Sequence, residues 1–298
     1  MTARDILSVI LFLGVFSSYA QLPPVVQSSG AIVRPDELTR AYVSPVRVVM
    51  KYAGRNGDLL RGDSLLLRGG NGQAQSGRKN CTLMRSTSDE KSFLILDFGC
   101  ELHGGLCMVM GSSSRREPSK VRIRFGESVG EANSETCNSE WKRGFSTDDH
   151  AKRDFMIEIP RDGMIELGNT GFRFVRIDLL EEDVTISLKE VSAILRYRDI
   201  PYLGSFSCND DRLNRIWETG AYTVHLNMQE FLWDGIKRDR LVWLGDMHPE
   251  MSTITRVFGA HEVVPRSIDL ACEQYPLPRW LNGMSAYSMW YLINMQDW

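Results

Sequence analysis

The stretch Asp234-Gly235-Ile236-Lys237-Arg238-Asp239-Arg240-Leu241-Val242-Trp243-Leu244-Gly245-Asp246, continuing to His248-Pro249-Glu250, sets three carboxylates, two arginines and one tryptophan within thirteen residues. It is too polar for a core strand and has no helical period, so it reads as a loop between helices. Upstream, Leu213, Ile216, Trp217, Gly220 and Val224 recur at three- and four-residue spacing, which predicts a helix with a buried stripe. Ser207 or Asn209 is suited to cap it, with acid in the first turn at Asp210 and Asp211. Downstream, a second helix is expected after Pro249, a third near Pro265 and a fourth over roughly 285–294. Helices joined by such loops pack as hairpins.

Further upstream the period falls to two. Val121-Arg122-Ile123-Arg124-Phe125 places apolar and basic side chains on opposite faces, and Phe155, Ile157 and Ile159 repeat the pattern. Arg173, Val175, Ile177 and Leu179 share one face of another strand; Val184, Ile186 and Leu188 alternate with Thr185, Ser187 and Lys189. Gly111, Gly126, Asp162-Gly163 and Gly168-Asn169 are expected to separate the strands. Six of the seven tryptophans (Trp217, Trp233, Trp243, Trp280, Trp290 and Trp298) lie beyond residue 200, and only Trp141 precedes it. The fold class expected is therefore multidomain β + α. An antiparallel β-sandwich of jelly-roll type occupies 21–200, and helical hairpins occupy 201–298.

Residues 1–20 read as a signal peptide. The apolar run Ile6 to Phe16 follows Arg4 and is too short to span a bilayer; Ser18 and Ala20 are the small residues a cut near Ala20-Gln21 requires. Export after cleavage, to periplasm or medium, is the expectation, with no membrane anchor. The six cysteines (Cys81, Cys100, Cys107, Cys137, Cys208 and Cys272) form no CxxC pair, which removes zinc-ribbon and thioredoxin-like readings and leaves disulfide pairing open. A net charge of −3 over 298 residues, 43% of them hydrophobic, describes a globular chain without the basic excess of a nucleic-acid binder.

Several motif matches lack the context their chemistry needs. Gly126-Glu127-Ser128-Val129-Gly130 has the spacing of a nucleophile elbow, but a polar loop is expected where the elbow requires a helix. His261-Glu262 is followed by Pro265 where a zinc-binding HExxH places its second histidine. Asp148-Asp149-His150 reads as an exposed turn, Gly69-Gly70-Asn71-Gly72 as a loop, and Asn80-Cys81-Thr82 as a glycosylation sequon. The sequence points to no metal and no cofactor.

Carboxylates beside an indole suit a sugar. Acids accept hydrogen bonds from hydroxyls, and an acid kept protonated by burial can protonate a glycosidic oxygen. An aspartate, then Arg and an acid five positions after that aspartate, then Trp-x-Gly-Asp: this segment resembles the signature of bacterial α-L-rhamnosidases, filled here by Asp234, Arg238, Asp239, Trp243, Gly245 and Asp246. The resemblance extends to 211–217, to Asp97-Phe98-Gly99, to Arg124-Phe125-Gly126-Glu127 and to 171–175. It implies an inverting glycosidase with an α/α six-hairpin barrel, of which 201–298 would be the first hairpins, and a rhamnose-containing glycan or glycoside as substrate. Asp239 takes the place of the general acid. Asp234 and Asp246 take the places of acids that hold the sugar hydroxyls; Arg238 would pair with a carboxylate and Trp243 would wall the pocket.

Two departures from the pattern bear on these roles. Asp239 stands where many relatives have glutamate, and Gly235-Ile236 replaces a frequent Cys-Pro, so Glu250 is the spare candidate for the acid. The general base of the family is a glutamate in a later hairpin, with no counterpart up to Trp298. A front part of a longer enzyme, inactive alone, is therefore one expectation. A carbohydrate-binding protein without catalysis is the other, and a relative acting on a different sugar is a third.

Overall fold

A computed structural model describes residues 32–34, 38–52, 59–60, 65–66, 82–85, 91–134 and 153–298. The leader at 1–20, Cys81, Cys137, Trp141, Gly69–Gly72 and Asp148-Asp149-His150 lie outside the described residues.

Among the described residues, ten strands form one antiparallel sheet: β1 (Ile32–Arg34), β2 (Thr39–Val43), β3 (Arg47–Tyr52), β4 (Leu59–Leu60), β5 (Thr82–Arg85), β6 (Phe93–Ser113), β7 (Ser119–Gly126), β8 (Asp154–Ile159), β9 (Gly163–Leu179) and β10 (Thr185–Tyr197). The main path runs β1-β2-β10-β6-β9-β7-β8. The long strand β6 belongs to both ends of it. Its first part, Phe93 to Asp97, lies between β3 and the end of β9, and Leu102 to Met110 lies between β10 and the start of β9. Register breaks between Asp97 and Leu102 and between Gly104 and Leu106 separate the two parts, and such bulges bend a sheet.

Inward residues from all the long strands meet in one apolar cluster. Leu94, Leu96, Leu106 and Met108 of β6 pack with Val121 and Ile123 of β7, Val175 and Ile177 of β9, and Leu188 and Leu195 of β10. This is the expected sandwich core. Gly111 and Gly168-Asn169, read as turn positions, instead lie inside β6 and β9. Each sits at a register shift, Gly111 between the pairs Ser112–Ser187 and Met110–Leu188 and Gly168-Asn169 between Gly104–Thr170 and Leu106–Leu167, so the strands run on through them as bulges.

The opposite face of β7 and β9 carries paired charge rather than open solvent. Arg124 is 3% exposed and donates to Asp178 at 3.0 Å; Arg122 grips Asp154 at 2.9 and 2.6 Å. Buried guanidinium groups are tolerated when paired in this way. The short helix α1 (Val129–Asn133) covers part of that face, with Ala132 against Ile95 and Phe174. A helical turn thus follows Ser128 where a loop was expected. Its cause is local: Ser128 Oγ accepts from the Glu131 amide at 3.1 Å, and a Glu131 carboxylate oxygen accepts from the Glu127 amide at 2.9 Å. Ser128 is a helix cap.

Helices α2 (Asp211–Asn227), α3 (Leu244–Val257), α4 (Val263–Gln274) and α5 (Ser285–Asp297) follow the sheet, with a 3₁₀ turn at Leu281–Gly283 before α5. Asp210, rather than Ser207 or Asn209, caps α2, its side chain accepting from the Arg212 amide at 2.8 Å. The expected stripe is only partly buried. Leu213 and Ile216 are 48% and 58% exposed, whereas Ala221, Tyr222, Val224, His225 and Leu226 are buried. In the first half of α2 Trp217 packs against the core of the helical segment, while Leu213 and Ile216 keep the apolar spacing but stay exposed.

Helix α3 begins five residues before Pro249, which sits inside it. The start is held from outside: the Leu244 amide donates to Asn282 Oδ1 at 3.1 Å, and Asn294 Nδ2 donates to the Leu244 carbonyl at 2.8 Å. The ends of α2, α3 and α4 share a second core containing Met228, Leu232, Met251, Ile254, Val264 and Ile268. The two parts of the chain interlock, because Tyr222, Leu226 and Ile236 pack into the sandwich cluster. The Tyr222 hydroxyl also donates to the Glu101 carbonyl at 2.6 Å.

Candidate active site

The carboxylate-rich loop is closed by its own ends. The Asp234 amide donates to the Leu241 carbonyl at 3.0 Å, and the Leu241 amide donates back to Asp234 Oδ1 at 2.9 Å. The ring between is tight enough that Asp239 and Arg240 take φ of 56° and 51°, a region L residues enter at a cost. Three tethers fix the loop to the sandwich. Lys237 reaches Glu127 at 2.6 Å and Glu131 at 3.0 Å, Arg240 donates to the Asn169 carbonyl at 2.9 Å, and Ile236 lies on Gly171. A Cβ on Gly171 would stand 2.8 Å from Ile236 Cγ1, so glycine is what admits the loop.

The second half of the signature starts α3. Gly245 has a similar role there: a Cβ would meet the Tyr287 ring at 2.2 Å. That ring packs edge-on to Trp243 with centroids 5.6 Å apart, and its hydroxyl donates to Asp246 Oδ2 at 3.1 Å. One turn on, Glu250 is buried and accepts from Asn227 Nδ2 of α2 at 2.8 Å. Arg238 Nε lies 3.5 Å from Asp239 Oδ1.

These acids feel one another. Burial, opposed by the Leu241 amide and reinforced by the charges of Asp239 and Asp246, pushes Asp234 up to about 6. Burial pushes Glu250 up to about 8, with the Asn227 hydrogen bond working against it and Asp234 and Asp246 adding to it. At neutral pH Glu250 therefore holds a proton and Asp234 is partly protonated. The cluster can supply protons to a bound ligand and accept hydrogen bonds from hydroxyl groups.

A cleft of about 740 Å³ opens where the loop meets the sandwich. Asp234 and Arg238 line it, together with Asn227 and Tyr222 of α2 and, from the sandwich, Cys100, Glu101, Glu127 and Arg173. Asp239, Trp243, Asp246 and Glu250 are not part of this lining. The sandwich residues were not singled out as site residues in the sequence. Their signal was indirect: Glu127 and Arg173 lie in two of the three sandwich stretches that share the rhamnosidase resemblance. No group of three or more potential metal ligands occurs among the described residues. Among them, too, no helix is long and apolar enough to cross a membrane.

Residues 201–290 match the family model of the bacterial α-L-rhamnosidase 6 hairpin glycosidase domain. The fold is similar to that of a rhamnosidase from Klebsiella oxytoca with rhamnose bound, with a TM-score of 0.64 and 18% identity over 92% of this chain and 54% of that one. It is also similar to a GH78 family rhamnosidase of Bacillus sp. GL1, with a TM-score of 0.58 and 18% identity over 79% of this chain and 24% of that one. The chain thus spans about half and about a quarter of the length of these two proteins. No curated protein sequence matches it.

Proposed function

We propose that this chain carries the proton-donating part of a glycoside hydrolase that releases terminal α-L-rhamnose from a glycan or glycoside with inversion. The observation that carries the reading is the cluster of Asp234, Asp239, Asp246 and Glu250, set by one closed loop and the start of α3 inside the segment matched by the rhamnosidase domain. Asp239 donates its proton to the glycosidic oxygen as the bond to the anomeric carbon breaks. Asp234 and Asp246 hold sugar hydroxyls and stabilise the positive charge that develops on the ring. Inversion needs a second carboxylate roughly 6.5–9.5 Å away to take a proton from water as it attacks the opposite face. The family resemblance assigns that base to a later hairpin.

The test is turnover of an alkyl α-L-rhamnoside or α-L-rhamnosyl disaccharide by the enzyme and by its Asp239→Asn and Glu250→Gln variants. Asp239→Asn should lose about 10²–10⁴-fold in kcat for a substrate with a poor leaving group. Unchanged turnover in Asp239→Asn with loss in Glu250→Gln would transfer the acid role to Glu250. Binding of L-rhamnose by this chain without hydrolysis would favour a carbohydrate-binding role. The same proposal includes export. Edman sequencing of the protein recovered outside the cytoplasm should begin at Gln21, and a retained Met1 would refute cleavage.

A further inference from the structure

The backbone is strained at the residue proposed to donate the proton. Asp239 and Arg240 take φ of 56° and 51° in succession, and neither is glycine. Adjacent left-handed L residues are unfavourable, and such conformations persist where the surroundings over-determine them. The hydrogen bonds between Asp234 and Leu241 hold only the ends of the loop. What grips its middle is the sandwich, on both sides of Asp239. After it, Arg240 donates to the Asn169 carbonyl of β9 at 2.9 Å and lies over the Trp233 ring. Before it, Lys237 reaches Glu127 at 2.6 Å and Glu131 at 3.0 Å.

The two acids that hold Lys237 are not alike. The Glu127 side chain is 42% exposed, whereas that of Glu131 is 14% exposed. Glu131 also pairs with the buried Arg153 and accepts from the Glu127 amide at 2.9 Å. Its helix α1 is seated on the sheet by Ala132 against Ile95 and Phe174. Glu131 is thus a fixed point, and Lys237 is the arm that ties the loop to it. An ion pair so far withdrawn from water is screened less than one on the surface. Glu131 does not line the cleft, so it would act on a ligand only through the loop. We propose that Glu131 is a positioning residue for the proton donor: through Lys237 it holds the left-handed turn that aims the Asp239 carboxyl. A helix of the accessory sandwich then sets the geometry of acid catalysis in the helical segment. This inference rests on the reading of Asp239 as the acid.

Kinetics of the enzyme on two substrates separate positioning from folding. An alkyl α-L-rhamnoside needs a proton on its leaving oxygen, and a dinitrophenyl α-L-rhamnoside does not. Glu131→Gln keeps an acceptor for the Glu127 amide and removes the charge. It should lower kcat on the alkyl substrate on the order of 10–100-fold and on the dinitrophenyl substrate by less than about threefold. Loss of folded enzyme would lower both alike. Lys237→Met should show the same selective loss, the double variant should lose no more than either single one, and Lys237→Arg should restore the activity. Should Glu131→Gln fail to fold because Arg153 loses its partner, Lys237→Met carries the test. Hydrogen exchange over 234–241 reads the clamp without turnover, and Lys237→Met should speed it on the order of tenfold. Equal losses on the two substrates, unchanged kinetics, or unchanged exchange would each overturn the inference. Selective loss in Asp239→Asn with none in Glu131→Gln and Lys237→Met would remove the inference alone. No selective loss in Asp239→Asn, or no turnover of either substrate by the unmodified enzyme, would remove the acid reading and the inference together.

Discussion

Glu250 shows how far a residue's chemistry departs from its type. A glutamate ordinarily ionises near 4.5; here burial moves it to about 8, and Glu101 moves as far for the same reason. Raised values mean that the folded state binds a proton the unfolded chain has released. The stability these groups contribute is complete below about pH 4.5 and is lost as pH rises through about 8. Buried His225, pushed down to about 4 by desolvation, acts in the other direction: its contribution is present above pH 6.5 and is lost as pH falls through about 4. Glu250→Gln keeps an acceptor for Asn227 and removes the titration. Its melting temperature should therefore gain on the unmodified protein between pH 5 and pH 8 in thermal scans, and parallel curves would show that Glu250 is ionised in the folded protein. The presence of acids at Asp234, Asp239, Asp246 and Glu250 was legible in the sequence. Their protonation was not, since burial depends on what packs over each carboxyl.

At the scale of elements, alternation located the strands but not their bends. In β10, Ile186 and Leu188 face the core, and after a register shift between Leu188 and Glu190 the inward positions become Val191, Ala193, Leu195 and Tyr197. A change of parity in the sequence is the trace of that bulge. The signature loop was legible by composition alone; its seating on Gly171 depends on a strand more than sixty residues earlier. Gly171→Ala should force Ile236 off the sheet at a cost of about 1–3 kcal/mol. Urea unfolding would read the loss, and a change below about 0.3 kcal/mol would mean that the loop does not rest on this strand. The start of α3 teaches the same lesson. Pro249 suggested a beginning beyond it, but Asn282 and Asn294, distant in sequence, hold the Leu244 end of the helix by hydrogen bonds.

For the whole molecule, the decisive contact is between the two layers. Tyr222, Leu226 and Ile236 extend the sandwich core into the helical segment, and the Tyr222 hydroxyl fastens it to the Glu101 carbonyl. Sheet and helices should therefore unfold in one calorimetric transition. Tyr222→Phe should lower stability by about 0.5–1.5 kcal/mol without splitting it, and two separate transitions in the unmodified protein would show that the layers fold independently. Helix α5 leaves Met289, Leu292 and Met295 exposed, which fits its sequence, apolar on every side. The sequence by itself determined the two kinds of structure and their order, because periods of two and 3.6 are written in local spacing. It also determined the acids of the signature, because their chemistry lies in their identity. Only the tertiary structure decided that the sandwich enters the site, since Glu101, Glu127 and Arg173 meet Asp234 and Arg238 through packing that no local spacing encodes. The charge states of Glu101, Asp234 and Glu250 were decided there too, because they follow from the removal of water around them.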